Sequence, residues 1–343
     1  MPVGRGWYGR PPLEFQTAEP AREGDERLLI AELQREIRAM QEAVEKVKII
    51  RPAWCSLLPE PVENLPAVLL WNDLLERIHN VEVELPFLSV PLGIDTVRMN
   101  PVRINLIADG PDFIVAGSSQ SGKTNFLWTW ILALATAYSP QQVQFMLLSG
   151  RHDSLLPLKP LRHVIEYCRT PDEFLRNGVI NKIMDEIQYR ENETSCVGDG
   201  TLPVAHWVIV CDDYDEFYNF VSNDREIMAG LERLAKRGRD VNMHMIISGP
   251  LPMMGVGYGD PVVKQLKLGR SGILLRLLDA GDQNPLGVRI RATDIRNMST
   301  GRGFLVHNGI EQAVHFATAG DQAAVSDQVA QVNTHWKDQE VIT

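Results

Sequence analysis

The chain has 343 residues, 44% of them apolar and 23% charged, and 34 Lys and Arg against 44 Asp and Glu leave a net charge of −10. That composition describes a globular protein with a sizeable core. It excludes a disordered tail, a collagen and a disulfide-stapled miniprotein. The acidic balance gives no prior for a nucleic-acid binder but leaves room for a local basic patch.

Four cysteines, Cys55, Cys168, Cys196 and Cys211, show no CxxC and no His at metal spacing. They fit reduced thiols in a reducing compartment, and Cys211 lies inside an apolar run, as a core residue would. No apolar stretch reaches the roughly 20 residues of a membrane span. The N-terminus lacks the profile of a signal peptide. The expectation is a cytoplasmic chain with no direct membrane insertion.

Along the chain, residues 1–20 are rich in Gly, Pro and Arg. Ile30, Leu33, Ile37, Met40, Val44 and Val47 are spaced as a heptad seam. Three heptads are near the minimum for a coiled coil, so an amphipathic helix lying on a domain is the preferred reading of 25–50. A Pro-rich connector follows, then a helix at Leu69–Arg77 and strand-like segments at Phe87–Ile94 and Val102–Ala108. From Phe113 the pattern alternates. Strands are expected at Phe113–Gly117, Val143–Leu148, His206–Asp212, Met243–Ser248 and Ile273–Leu277. Helices are expected at about 122–138, 171–192 and 224–237. Such alternation predicts an α/β fold, a mainly parallel sheet with helices on both faces. Val325, Val329, Val332 and Trp336 predict a closing helix.

The strongest motif is Gly117, Ser118, Ser119, Gln120, Ser121, Gly122, Lys123 and Thr124, a full match to G-x-x-x-x-G-K-[ST]. An apolar strand leads in and an apolar helix, starting beside Asn125, leads out. Glycines let the loop turn its N–H groups onto phosphate oxygens, and the helix presents its positive end to the same anion. Residues 117–125 are therefore the expected ATP-binding set. Lys123 would reach the β- and γ-phosphates, and the Thr124 hydroxyl would coordinate Mg²⁺. A partner acid is expected at the end of another apolar strand. His206–Asp212 supplies it, with Asp212 as the second magnesium-site residue. Asp213 follows, where many such ATPases carry Glu to orient the attacking water. Its side chain is one methylene shorter, which predicts tight ATP binding and slow hydrolysis. Glu216 is an alternative base, and capping of the next helix is an alternative role for Asp213.

These motifs resemble the FtsK/SpoIIIE-type P-loop ATPases and, within them, the C-terminal ATPase domains of type VII secretion motors (EccC/EssC). The resemblance covers most of 57–318. It rests on the linker at Leu57–Pro61, the Pro91–Asp95 turn, the P-loop, and Leu156–Leu158 followed by His163 and Val164. It rests further on the degenerate Walker B at Asp212–Asp215, Gly238–Asp240 followed by His244, and the closing hairpin at Gly301–Gly303. It implies a RecA-like motor domain that works with other ATPase domains of the same motor as a homo-oligomer, a hexamer being one form. The parent motor would bring it to the inner face of the cell membrane. The implied cargo is a small helical secreted protein of the WXG type, and double-stranded DNA is the alternative. A third reading is a catalytically silent interaction module in which ATP is structural. Ser248, Gly249 and Pro250 stand where DNA pumps carry a Thr-Gln pair, which weakens the DNA reading. Family members often have Asp where this chain has Ser149.

Weaker candidates remain. Arg237 and Arg239 could serve a neighbour's γ-phosphate or simply end a helix. The Pro250–Tyr258 loop, with Met253 and Met254, could bind a partner or pack on its own core. Gly4–Tyr8 recurs as Gly301–Leu305, and Phe15–Ala18 pairs with Val314–Ala317. The organisation expected is a terminal hairpin of a preceding ATPase domain at 1–20, a helical linker at 21–60, the ATPase domain at 61–320 and a helical tail at 321–343.

Overall fold

The computed structural model describes residues 5–8, 13–16, 34–35, 37–43, 46, 65–78, 86–151, 153–196, 204–254, 259–277, 286–288, 290–291, 295 and 298–342. The chain divides into two units, Met1–Glu63 and Asn64–Thr343. In the first, β1 (Arg5–Tyr8) and β2 (Leu13–Gln16) form a two-stranded antiparallel sheet. Helical backbone occurs at 34–35, 37–43 and 46, where Ile37 and Met40 of the heptad seam are exposed. The Leu57–Pro61 linker lies outside the described residues.

The second unit opens with α1 (Trp71–Ile78) and the antiparallel pair β3 (Ser89–Asp95) and β4 (Pro101–Asn105). The P-loop unit is β5 (Phe113–Gly117) and α2 (Lys123–Ala137). Then come β6 (Val143–Ser149), β7 (Val164–Cys168), α3 (Pro171–Arg176), α4 (Val179–Cys196) and β8 (His206–Asp212). They are followed by α5 (Tyr214–Val221), α6 (Arg225–Arg237), β9 (Met243–Gly249), α7 (Leu251–Met254), α8 (Pro261–Leu268) and β10 (Gly272–Leu275). β11 (Arg302–His307), β12 (Ile310–Phe316) and α9 (Gln322–Ile342) close the unit.

Ten strands form one sheet in the order β4-β3-β12-β11-β10-β5-β9-β8-β6-β7. The six from β10 to β7 are parallel, and the rest add as antiparallel neighbours. Strict alternation feeds two cores. Phe113 and Val115 of β5, with Val208 and Val210 of β8, face the layer holding α1, α2 and α9. Ile114, Ala116, Ile209 and Cys211 face the layer of α3 to α6 and α8. Strands buried on both faces read as continuous apolar runs, which is why they were visible in the sequence.

Two expectations change. The 171–192 helix is broken into α3 and α4 at Gly178, whose φ of +58° suits glycine. The Pro91–Asp95 segment lies within β3 rather than in a turn. A Cβ on Gly93 would meet the His315 carbonyl at 2.5 Å, so the glycine lets β12 pair there. The turn begins at Asp95, whose Oδ1 accepts from the Val97 and Arg98 amides.

At the N-terminal ends of the parallel strands lies a buried polar cluster. His206 and His244 share a 2.9 Å contact between Nδ1 and Nε2, and His244 Nδ1 lies 3.1 Å from the Pro111 carbonyl. Burial holds both imidazoles far below their usual range, His206 at about 4 and His244 at about 3. Asp112 accepts from the Met245 amide at 2.7 Å, and burial pushes its carboxyl up to about 7.

Candidate nucleotide site

The site forms at the C-terminal ends of β5, β8 and β9, the edge of a parallel sheet where ligands bind. Gly117 ends β5 because no side chain fits: a Cβ would meet Ser121 Oγ at 2.4 Å and the Leu275 carbonyl at 2.7 Å. The loop then turns through positive φ at Gln120 and Gly122, which is +96° at the N-cap of α2. First-turn amides of a helix have no intrahelical acceptor, so this turn leaves donors for an anion.

Lys123 Nζ donates back to the Gly117 and Ser118 carbonyls at 3.2 and 3.1 Å. Ser118 Oγ donates to the Arg276 carbonyl, tying the loop to the end of β10. Thr124 Oγ1 donates to Asp212 Oδ2 at 2.7 Å, and Ser248 Oγ donates to Asp212 Oδ1. Asp212 is fully buried. A hydroxyl and a buried carboxylate in contact form a hard oxygen pair of the kind Mg²⁺ takes, with water filling its other positions. Asn125 is oriented away from this pair. Its Nδ2 donates to the Gly320 carbonyl, and its Oδ1 accepts from Thr318 Oγ1, both at 2.6 Å.

Asp213 occupies the N-cap of α5 at φ 51°, ψ 52°, yet its side chain makes no cap hydrogen bond. Its amide donates to Ser248 Oγ at 3.2 Å. Burial and the adjacent Asp212 and Asp215 raise its carboxyl above the usual range, partly offset by Arg151 and Lys123. The capping alternative is therefore not what the carboxylate does here. Glu216 is held in an ion pair by Arg151.

Sequence reasoning missed three participants. Ser248 joins both acids from β9, the strand between β5 and β8; its place at the end of an apolar strand was the available signal. Gly150 sits where a Cβ would meet the Asp213 carbonyl at 2.0 Å, and its amide donates to the Asp212 carbonyl. Arg151 faces Asp215 and Glu216. Ser149 is buried and pairs with Asp212 in the sheet register. At the other end of the sheet Arg237 ends α6 and Arg239 lies in the turn entering β9, and Arg237 pairs with Asp240 at 3.6 Å. Leu251 of the Pro250–Tyr258 segment is buried, whereas Met253, Met254 and 255–258 lie outside the described side chains.

Beside the loop is a cavity of about 450 Å³, lined by Ser121, Asn125, Phe126, Leu275, His315 and Thr318 among others. It gives the site a sheltered, largely apolar annex next to the phosphate loop.

The FtsK/SpoIIIE family model matches residues 76–195, which contain the P-loop. This stretch of the chain is similar to the FtsK/SpoIIIE family. Among curated relatives it is similar to the ESX secretion system protein EccC of Thermomonospora curvata, 25% identical over 266 residues. That match covers 76% of this chain and 19% of the relative. The chain thus spans about a fifth of that relative's length. Among solved structures, EssC (ATPases 2 and 3) from Geobacillus thermodenitrificans matches with a TM-score of 0.63 and 17% identity, over 81% of this chain and 53% of that one. EccC (ATPases 2 and 3) of Thermomonospora curvata, in complex with a signal sequence peptide, matches with a TM-score of 0.60 and 22% identity, over 93% and 54%. The chain has the α/β fold of these P-loop ATPase units. Among the described residues no helix is long and apolar enough to cross a membrane.

Proposed function

We propose that the chain is a Mg-ATP-binding motor unit of a type VII secretion-type ATPase, slow in hydrolysis. The observation that carries this reading is the junction of Thr124, Asp212 and Ser248 beside a complete P-loop. Residues 117–125 would hold the nucleotide, with the 117–124 amides and Lys123 on its phosphates. Thr124 and Asp212 would hold Mg²⁺, which supplies charge neutralisation to the phosphates when bound. Asp213 would orient the attacking water, and its short side chain limits the rate. In the parent motor, nucleotide state would control contacts with neighbouring ATPase domains and a small helical secreted protein. EccC bound to a signal sequence peptide is consistent with such a cargo.

The test is equilibrium binding of ATP with and without Mg²⁺, beside Lys123→Ala. Tight wild-type binding and at least a tenfold loss in the variant support the reading. No affinity for any nucleoside triphosphate would remove it. Duplex DNA binding with a steep salt slope would move the assignment to a DNA translocase.

The organisation of a tandem motor is part of the proposal, with a hairpin at 1–20, a linker at 21–60, the ATPase unit at 61–320 and a C-terminal helix at 321–343. The support is a shared register. Arg5 pairs with Gln16 and Gly6 with Phe15, as Arg302 pairs with His315 and Gly303 with Val314. The first hairpin forms its own sheet. Removal of residues 1–20 should leave melting temperature and ATP affinity unchanged. A fall in either would assign the hairpin to this unit instead.

A further inference from the structure

The first turn of α2 is anchored by two neighbouring side chains. Thr124 reaches Asp212 on β8, and Asn125 reaches the strap at 317–321 that joins β12 to α9. Adjacent helical residues point about 100° apart around the axis, so the two anchors resist different displacements of the turn. Asn125 uses both ends of its amide on the strap. Its Nδ2 donates to the Gly320 carbonyl and its Oδ1 accepts from the Thr318 hydroxyl, each at 2.6 Å. A carbonyl only accepts, so the Gly320 contact fixes which way the amide faces. One helical turn on, Thr129 is fully buried. Its Oγ1 accepts from the Ala319 amide and donates to the Asn125 carbonyl, both at 2.9 Å.

The strap is itself fixed. Ala317 and Ala319 are buried, the Ala317 amide donates to the Leu92 carbonyl of β3, and Gln328 of α9 donates to the Ala319 carbonyl. The Thr318 hydroxyl works in both directions, donating to Asn125 and accepting from the Gly320 amide at 3.1 Å. Three consecutive residues, Thr318, Ala319 and Gly320, thus bond to side chains one turn apart on α2. Proximity to Lys123 and Thr124 in the sequence points the Asn125 side chain at the nucleotide, but the geometry turns it to the strap.

We infer that Asn125 is a positioning residue of the phosphate loop, which locks the first turn of α2 to the 318–320 strap and so holds the loop amides in place for an anion. The inference rests on the nucleotide-binding reading above and adds to it a side chain that acts without touching the ligand. Donors held in place before binding have less ordering left to do, so affinity rises. The coupling is reciprocal: an anion on the loop steadies the strap by as much as the strap favours the anion. The effect belongs to the phosphates, so it must appear with a phosphate chain alone.

The experiment measures equilibrium affinities for ATP and inorganic tripolyphosphate, both with Mg²⁺. The proteins are wild type, Asn125→Leu, Thr318→Val and Thr318→Ser, each checked for folding by thermal denaturation. Amide hydrogen exchange at Ala319 and Gly320 is followed with and without tripolyphosphate. Wild type should bind both ligands, and its Ala319 and Gly320 amides should exchange more slowly with tripolyphosphate bound. Asn125→Leu and Thr318→Val should each weaken both ligands about tenfold, equivalent to one hydrogen bond, and lose the ligand-dependent protection. Thr318→Ser keeps the hydroxyl and should keep the wild-type affinities. A lowered melting temperature with affinities within about twofold of wild type would reduce the network to a stabilising one and overturn the inference. So would a loss confined to ATP. Exchange in wild type that ignores the ligand would also overturn it, with no variant needed. A wild type that binds neither ligand would overturn the nucleotide reading as well.

Discussion

Thr124 and Asp212 stand 88 positions apart in the chain, and the hydroxyl of one donates to the carboxylate of the other at 2.7 Å. Ser248 completes the arrangement from β9, the strand between β5 and β8, donating to Asp212 and accepting from the Asp213 amide. One hydroxyl thus ties the Asp212 carboxylate to the backbone of Asp213.

Ser248→Ala should leave Asp212 Oδ1 and the Asp213 amide without this partner. A cost of about 1–3 kcal/mol is expected. Thermal denaturation reads the stability loss, and magnesium titration of ATP binding should show weaker metal dependence. An unchanged melting temperature and magnesium titration would show that the hydroxyl contributes nothing.

Asp213→Glu restores the missing methylene. Under single-turnover conditions hydrolysis should rise at least tenfold, with ATP affinity little changed. Asp213 must be ionised to orient water, and its carboxyl lies above the usual range. The acid limb of the wild-type rate profile should therefore fall at higher pH than for an ordinary aspartate. A rate insensitive to both changes would move the base role elsewhere.

The buried histidine pair makes stability depend on pH. His206 and His244 stay neutral in the fold down to about 4 and about 3 but take up protons near 6.5 when unfolded. Their contribution is complete above about 6.5 and is lost progressively as pH falls from there through about 4 and about 3. Asp112 acts in the opposite sense, because its carboxyl is raised to about 7. Its contribution is complete below the ordinary aspartate range and is lost as pH rises to about 7. Between pH 4.5 and 6 the two histidines outweigh the one acid, giving a loss of up to about 1.4 kcal/mol per unit of acidification. Asp112→Asn removes the opposing group. The acid slope should roughly double, and the variant should be the more stable protein at pH 8. Melting temperatures of both proteins from pH 4.5 to 8 check the sign.

Gly150→Ala would drive a Cβ onto the Asp213 carbonyl. Loss of stability on the order of 3 kcal/mol is expected, together with slower hydrolysis. A Tm within a degree of wild type would refute the steric argument.

The parallel strands, the phosphate loop and the Asp212 carboxylate were legible because each is a local pattern: an apolar run, a glycine spacing, an acid at a strand end. What stayed hidden is non-local. Nothing between residues 117 and 206 says that β9 will separate β5 from β8, so the polar strand end at Ser248 was visible but its contacts with Asp212 and the Asp213 amide were not. The antiparallel flank was equally opaque, because β3 finds β12 across more than two hundred residues. Asp213 was readable as an acid beside the metal site or as a helix cap. Only the backbone conformation, αL with no cap bond, separates the two.

Thr318 links the segment before α1 to the start of the P-loop helix. Its amide donates to the Leu69 carbonyl, its carbonyl accepts from Trp71, and its hydroxyl grips Asn125. The stretch around Leu69 is therefore tied to the first turn of α2, the same turn that would cradle phosphate. One threonine thus fixes the spacing between the Leu69 segment and the helix that follows the phosphate loop.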